Sequence, residues 1–439
     1  MSKVFRPYKP EQMLLMPACL QEWLPSEHLV YFISDVVEEL NISAIMSRYE
    51  GEDRGYPPYH PRMMVKVLLY AYCVGVPSSR KIAKRLHEDI GFRVLAANNT
   101  PDFRTVSDFR KEHLRALSQL FLQVLELCQE AGLVKLGHVS LDGTKVKANA
   151  SKHKAMSYGR MKEEERRLEA EVRELLRKAE EVDEEEDRRY GRDKGGDELP
   201  EELAFRESRL KKIREAKAAL EAKAEGRGLP GVPEDREQRN FTDPESRIMP
   251  ALGGKEFLQG YNAQVAVDST HQIIVACEVT DQPTDKVQGV PMMKEVRDNT
   301  GRLPSEMSAD AGYFSAKAVA ELSSMGVEVY IPPNKVRHRG FLLPAPRGRI
   351  PRNLSPIDRM RRKLRTKRGK KRYALRMETV EPVFGQIKQA RGFRQFLLRG
   401  KEKVGGEWRL ICTGHNLLKL FGAVKGRPTV RRTLALADS

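Results

Sequence analysis

Apolar residues recur at helical spacing over the first 135 residues, which predicts a helical N-terminal domain for DNA binding or oligomerisation. The run at 63–73 is mostly apolar and follows Pro61, which is typical of a buried helix near its start. Two shorter helices, at 79–88 and from Thr105 onward, would flank a turn around Gly91 and expose basic faces. This pattern fits a helix-turn-helix and, equally well, an ordinary helical bundle with solvated basic faces.

Strand-forming patterns begin after this region. The predicted strands are 138–147, with Asp142 closing its regular part, then 257–268, 272–279, a short strand ending at Asp310, and 327–333. The predicted helices between the later strands are 286–296 and 316–324. Two strands followed by helix, strand, helix and strand indicate a mixed α/β sheet. We therefore assign 136–150 and 241–334 to one sheet-containing core.

The stretch 151–240 interrupts this core and differs from it in composition. It carries 23 Lys or Arg and 25 Asp or Glu, so it is nearly neutral. Its apolar residues form two runs at helical spacing: Leu168, Val172, Leu175 and Val182, then Leu203, Leu210, Ile213 and Leu220. We interpret the stretch as an inserted charged helical hairpin. A partly disordered linker is the alternative, because only one stripe of each run is apolar.

Charge narrows the choice of partner. The chain has 78 Lys or Arg against 61 Asp or Glu, a net charge of +17. Residues 335–376 alone hold 17 basic residues and one acid, Asp358, and the C-terminal helices are predicted at 377–439. A concentrated positive segment is typical of proteins that bind nucleic acid. No apolar run is long enough for a membrane helix, and the five cysteines form no CxxC pair, so we expect a cytoplasmic, nucleoid-associated protein.

Three acids occupy positions that suit a metal site on a sheet. Asp142 closes one predicted strand, Asp310 ends another, and Glu381 lies in a helix-like segment after the basic block. Carboxylates gathered in this way repel one another, and divalent cations bound through oxygen relieve the repulsion. Each acid alone is better explained as a solvated surface residue. Strand context and the adjacent positive charge favour the site.

Other acids receive a structural interpretation. Asp268 falls in a turn between strands, and Asp281 and Asp285 stand where they could cap the helix predicted at 286–296.

The segment around Glu381 has its own spacing. Glu381, Gly385 and Lys388 follow an i, i+4, i+7 pattern, so a helix would align them on one face. Gly385 would leave room for a phosphodiester backbone and Lys388 would contact phosphate. Close helix packing and an exposed lysine are the corresponding alternatives. Pro382 is predicted to start or kink the helix at Glu381.

The whole chain resembles a bacterial DDE-type insertion-sequence transposase, a family whose catalytic domain has the ribonuclease-H-like fold of retroviral integrases. The segments that carry the resemblance are LDGTKVKANASKHKAMSY, YNAQVAVD, SADAGY, YALRMETVEPVFGQIK and GEWRLICTGHNLLKL. The resemblance implies a catalytic, metal-binding triad of Asp142, Asp310 and Glu381. It also places Tyr373, Arg376 and Lys388 in the Tyr-Arg-Glu-Lys signature. Four residues separate Arg376 from Glu381, whereas the commonest form of that signature has three.

The resemblance implies an enzyme that binds the terminal inverted repeats of a mobile element as a homodimer or larger oligomer. It would cut double-stranded DNA at the element ends and join the 3′-hydroxyl to target DNA, using two Mg²⁺ ions for which Mn²⁺ can substitute. The residues expected to contact DNA are Tyr373, Arg376, Lys388, Lys145, Lys147, Arg361, Arg362, Lys363 and Arg365. The alternatives are a catalytically inactive, transposase-derived DNA-binding regulator and a ribonuclease-H-like nuclease.

Overall fold

The computed structural model describes residues 19–49, 57–190, 201–226, 232–250, 256–334, 345–349, 351 and 353–426. Ahead of the first strand, the described helices are α1 (Leu29–Glu39), α2 (Ser43–Met46), α3 (Pro61–Cys73), α4 (Ser79–Glu88), α5 (Ile90–Leu95), α6 (Phe103–Glu112) and α7 (Leu114–Glu130). Within the described ranges, no helix combines the length and apolarity that a membrane span requires.

The predicted turn around Gly91 is wrong, because α5 lies between α4 and α6 and buries Gly91 within it. Asp89 caps this extra helix by accepting the N–H of Gly91 at 2.9 Å. Asp102, rather than Thr105, caps α6, since its Oδ1 accepts the N–H of Thr105 at 2.7 Å. The helices α3 and α7 pack against the C-terminal helix described below, so this region shares one hydrophobic core with that helix and the main sheet.

The remaining elements alternate strands and helices. They are β1 (His138–Lys147), β2 (Ala155–Ser157), α8 (Tyr158–Tyr190), α9 (Glu201–Glu225), β3 (Gln238–Asn240), β4 (Arg247–Pro250), β5 (Phe257–Asp268), β6 (Ile274–Thr280), α10 (Gly289–Thr300), β7 (Glu306–Ala309), α11 (Ala316–Ser324), β8 (Glu328–Tyr330), α12 (Pro356–Arg365), α13 (Lys367–Gly385) and α14 (Lys401–Gly426). The predicted order from β5 to β8 is confirmed.

The main sheet is mixed, as the sequence predicts, and is consistent with a ribonuclease-H-like core. Its order is β4-β5-β1-β7-β8, and β6 pairs with β5. The strands β1, β4 and β6 run antiparallel to β5, whereas β7 is parallel to both β1 and β8. Helices α10, α13 and α14 pack on this sheet. Asn416 of α14 fixes one such contact, because its amide bonds both the N–H and the carbonyl of Ile274.

The expectation that Asp142 closes its strand is wrong, because β1 continues to Lys147. Strand β5 stays paired with β1 as far as Lys147, whereas β7 pairs with β1 only up to Leu141. Asp142 therefore stands in mid-strand, at the point where β7 leaves the sheet. The exposed edge, and not the strand's end, gives Asp142 room for chemistry.

The stretch 151–240 contains α8 and α9, which pack against each other. A small core separate from the main one holds them together, formed by Tyr158, Met161, Leu168, Leu210, Ile213, Ala216 and Leu220. Ion pairs join the helices outside this core, for example Arg206 to Glu171 at 2.7 Å and Lys217 to Glu165 at 2.8 Å. The predicted stripe residue Val182 lies where side chains are outside the described part.

Pro382 does not start its helix, because α13 continues through it to Gly385, whereas a kink at this position stays a prediction. A proline has no N–H to donate, so it leaves the carbonyl four residues earlier, that of Glu378, without its helical partner. Gln272 replaces this partner, since its Nε2 donates to that carbonyl at 2.8 Å. A π-helical turn, Gln386–Ala390, follows and carries Lys388.

Candidate active site

Two of the predicted acids lie side by side at adjacent parallel strands, Asp142 within β1 and Asp310 directly after β7. The last pair in the register of β1 and β7 joins Leu141 to Ala309, so Asp142 and Asp310 are the next residues along the two strands. Each carboxylate accepts a nearby backbone N–H: Asp142 from Gly143 at 2.8 Å and Asp310 from Gly312 at 2.9 Å. These bonds fix both carboxylates at the open edge where β7 leaves β1.

The third acid is joined to the first by an arginine. Arg376 donates from Nη1 to Asp142 Oδ2 at 2.8 Å and from Nη2 to Glu381 Oε1 at 2.9 Å. The Arg376 side chain is 15% exposed, whereas that of Glu381 is 45% exposed, so the bridge extends from the sheet to the surface. The additional residue between Arg376 and Glu381 therefore does not prevent the two from pairing.

The site accumulates negative charge. Burial, together with the neighbouring carboxylates of Asp310 and Asp285, raises the pKa of Asp142 to about 7, although Arg376 acts in the opposite direction. Burial and Asp285 also raise the pKa of Asp310. Arg376 thus offsets only part of the cost of placing these carboxylates together, and a further cation would stabilise their ionised forms.

The donor set fits Mg²⁺ by its chemistry, because carboxylate oxygens are the ligands that this hard cation prefers. Among the residues that the structure describes, no three acids converge closely enough to form a ready-made metal site. In their place, the guanidinium of Arg376 lies between Asp142 and Glu381. Side-chain movement at Arg376 or Glu381 would therefore accompany cation binding.

Lys388 and Gly385 follow Glu381 along the chain, and Lys388 contacts the sheet. Lys388 Nζ donates to Thr144 Oγ1 at 2.9 Å and to the carbonyl of Lys145 at 3.1 Å, which fixes it against β1. Burial lowers the pKa of this lysine. A Cβ on Gly385 would meet no described atom within 4 Å, so close helix packing does not explain this glycine.

One acid at this edge was misassigned by sequence reasoning. Asp285 does not cap a helix, because α10 begins four residues later and its N-cap is Gln288. Its Oδ1 instead accepts from Asn262 at 2.6 Å and from Gln264 at 2.7 Å, beside the triad. The sequence held one signal for this role of Asp285: the polar residues Asn262 and Gln264 interrupt the apolar pattern of β5. The structural role of Asp268 is confirmed, since its carboxylate accepts the N–H groups of Leu136 and Thr270, but the residue is the last of β5 and not part of the turn.

The basic residues predicted to bind DNA differ in their surroundings. Lys363 is partly buried, pairs with Glu328 at 3.1 Å and lies over the ring of Tyr330, so it holds α12 to the sheet. Arg361 is half-exposed and pairs with Asp358 at 3.0 Å.

The other residues predicted to contact DNA differ in their exposure and in their partners. Arg362 donates to backbone carbonyls at 347–349, and Arg365 is partly exposed. Lys147 is exposed, Lys145 pairs with Asp285 at 3.5 Å, and Tyr373 is partly buried. Positions 335–344, 350 and 352 of the basic block lie outside the described residues.

Two regions of the chain are similar to known protein families. Residues 18–112 match a family described as "Transposase domain (DUF772)", and residues 351–421 match a family described as "Transposase DDE domain". The second region contains Arg376, Glu381 and Lys388. No curated protein and no solved structure matches the chain.

Proposed function

We propose that this chain, an insertion-sequence transposase with a DDE domain, binds the terminal inverted repeats of its element, cuts at the element ends and joins them to target DNA. One observation carries the proposal: Arg376 holds Asp142 and Glu381 together at the edge where Asp310 emerges. A structural ion pair would require only one of these acids. Three acids from distant parts of the chain at one edge of a sheet are better explained by chemistry at that edge.

Both proposed reactions form one phosphorus–oxygen bond as another breaks. In cleavage, a water oxygen bonds to phosphorus while the bond from phosphorus to the 3′ oxygen breaks, which leaves a 3′-hydroxyl on the element. In joining, that 3′ oxygen bonds to a target phosphorus and the target's own 3′ oxygen leaves. Mg²⁺, when bound, supplies stabilisation of the negative charge on the attacking and leaving oxygens.

Asp142, Asp310 and Glu381 would hold two Mg²⁺ ions, and Mn²⁺ can substitute because it also binds carboxylate oxygen. Arg376 and Lys388 would present positive charge to the phosphate from the α13 side of the sheet. The open space at Gly385 supports the approach of a DNA backbone between Glu381 and Lys388. This arrangement positions the phosphate before any bond breaks.

Binding would extend over the basic block. Arg361, Arg362 and Arg365 of α12, with Lys147 at the end of β1, are exposed or partly exposed and suit phosphate contacts. Joining two ends in one event requires two active sites, so we expect at least a dimer on DNA.

The test is a cleavage and joining assay on DNA that carries the inverted repeats flanking the coding region. Asp142→Asn, Asp310→Asn and Glu381→Gln should each abolish product with Mg²⁺ or Mn²⁺. Asp281→Asn is the matched control, because Asp281 pairs with Lys223 and Arg247 and with no triad residue. This variant should cleave DNA as the wild type does.

Three results would contradict the proposal in different ways. Full cleavage by any triad variant would remove that residue from the catalytic set. Mg²⁺-independent binding of the ends without cleavage would indicate a regulator, and cleavage without joining would indicate a nuclease.

A further inference from the structure

The loop between β6 and α10 directs one carboxylate back to the sheet. Oδ1 of Asp285 accepts from Asn262 Nδ2 at 2.6 Å and from Gln264 Nε2 at 2.7 Å, and it lies 3.5 Å from Lys145 Nζ. Three donors therefore converge on a single oxygen of one side chain. Such a set of contacts fixes the carboxylate's position and orientation.

The two strand residues that hold Asp285 have polar side chains, and burying them carries a desolvation penalty. Asn262 and Gln264 are fully buried in β5, where an amide must find partners to offset its desolvation. In register they stand opposite Lys145 and Gly143 of β1, so all four positions share one face of the sheet. A Cβ on Gly143 would collide with the Gln264 amide and lie 2.8 Å from Asp285 Oδ1. Only a glycine leaves room for this arrangement.

The second oxygen of Asp285 lies on the side of the triad. A Cβ on Gly312 would stand 3.6 Å from Asp285 Oδ2 and 3.0 Å from Asp310 Oδ1, so the two carboxylates flank the same point. Asn262 Oδ1 is fully buried and has no hydrogen-bond partner among the described residues. It lies 3.0 Å from the Cβ position of Gly143, close to Asp285 Oδ1. A buried acceptor without a donor is available to a cation or to its bound water.

We propose that Asp285 is a fourth carboxylate of the divalent-cation site, a positioning residue that Asn262 and Gln264 hold with its Oδ2 toward Asp310. This inference rests on the proposed function, because it adds to the cation site of the triad. Asp281, four residues earlier in the same loop, shows the contrasting case. Its carboxylate pairs with Lys223 at 3.5 Å and with Arg247 at 3.4 Å, and no triad residue is among these partners.

The test measures Mn²⁺ binding to the full chain, without DNA, by the electron paramagnetic resonance signal of free Mn²⁺. Asp285→Asn keeps an oxygen to accept from Asn262 and Gln264 but removes the charge. We expect it to weaken Mn²⁺ binding by about 10- to 100-fold, as loss of an outer-shell partner does at other metal sites. Asp281→Asn should bind as the wild type does, and Asp142→Asn should lose binding.

A second variant separates cation binding from a structural role. Lys145→Met removes the ion-pair partner of Asp285 and leaves the carboxylate in place, so Mn²⁺ binding should become tighter. Thermal melting without metal checks that each variant folds. If Asp285→Asn does not fold, unchanged or weaker Mn²⁺ binding by Lys145→Met would overturn the inference.

Equal weakening of Mn²⁺ binding by Asp285→Asn and Lys145→Met would indicate a structural network and overturn the inference. Wild-type affinity in Asp285→Asn beside loss in Asp142→Asn would overturn the inference and leave the proposed function standing. Absence of Mn²⁺ binding by the wild-type protein would contradict both.

Discussion

Replacing Asp142 with asparagine should change how the stability of the metal-free protein depends on pH. The Asp142 side chain is 18% exposed and lies among other carboxylates, and burial is the main reason that its pKa is raised to about 7. An unfolded aspartate has a pKa of about 3.9. The folded protein therefore binds this proton more tightly than the unfolded chain does.

The sign and size follow from proton linkage. A carboxyl whose pKa is raised on folding contributes stability that is fully present below about pH 4 and is lost as the pH rises through about 7. A shift from about 4 to about 7 corresponds to about 4 kcal/mol in total, of which about 2.5 kcal/mol falls between about pH 5 and pH 8. The asparagine side chain of the Asp142→Asn variant does not titrate, so the stability advantage of the wild type over this variant should fall by about that amount across this range.

Urea unfolding in EDTA, followed by tryptophan fluorescence, would measure this difference, because Trp408 is fully buried in the main core. Glu295 also has its pKa raised to about 7, mainly by burial, but it is common to both proteins and cancels in the comparison. Parallel curves for Asp142→Asn and the wild type would refute the reasoning, because they would mean that Asp142 titrates normally.

Three further substitutions test the surroundings of the site. Gly385→Ala should stabilise the protein by about 0.5–1 kcal/mol, because the backbone of Gly385 is helical and its Cβ position is open. The same variant should slow DNA cleavage, and an unchanged cleavage rate would mean that DNA does not approach Gly385. Arg361→Gln should lower the salt slope of DNA binding by about 0.9, whereas Lys363→Gln should leave the slope unchanged and lower the melting temperature, which filter binding and calorimetry would distinguish. Trp408→Ala should destabilise the protein by about 3–5 kcal/mol in urea unfolding, because the ring is fully buried and donates to the Gln264 carbonyl at 3.0 Å. If Trp408→Ala lowers the free energy of unfolding by less than about 1 kcal/mol, the full burial of Trp408 would be contradicted.

Local patterns predicted much of the fold. Strand β5 has the predicted bounds, and α11 coincides with the helix predicted at 316–324, because alternation and helical spacing are local properties of the sequence. The bounds of β1 were predicted too, but the end of its regular part was placed at Asp142. That error arose because pairing beyond Asp142 depends on the distant strand β5.

The pairing of charges could not be predicted in the same way. In the sequence, every lysine and arginine of the basic block adds the same charge. In the structure, Lys363 pairs with Glu328, and Arg376 lies between the carboxylates of Asp142 and Glu381. These partners lie on other elements or are brought together only by the fold, so spacing along the chain carries little information about them. Net charge indicated a polyanionic partner but did not distinguish residues that hold the fold from those open to DNA.

Asp285 illustrates the same limit and bears on the charge balance of the proposed cation site. Two basic side chains pair with the acids at this edge: Arg376 with Asp142 and Glu381, and Lys145 with Asp285. With Asp310 included, four carboxylates face these two cations. If all four are ionised, two negative charges remain, and bound divalent cations would offset them. Burial is the main reason that the pKa values of Asp142 and Asp310 are raised, and the neighbouring carboxylates add to it. A cation that binds among these groups would lower both pKa values, so the site should bind metal more tightly as the pH rises.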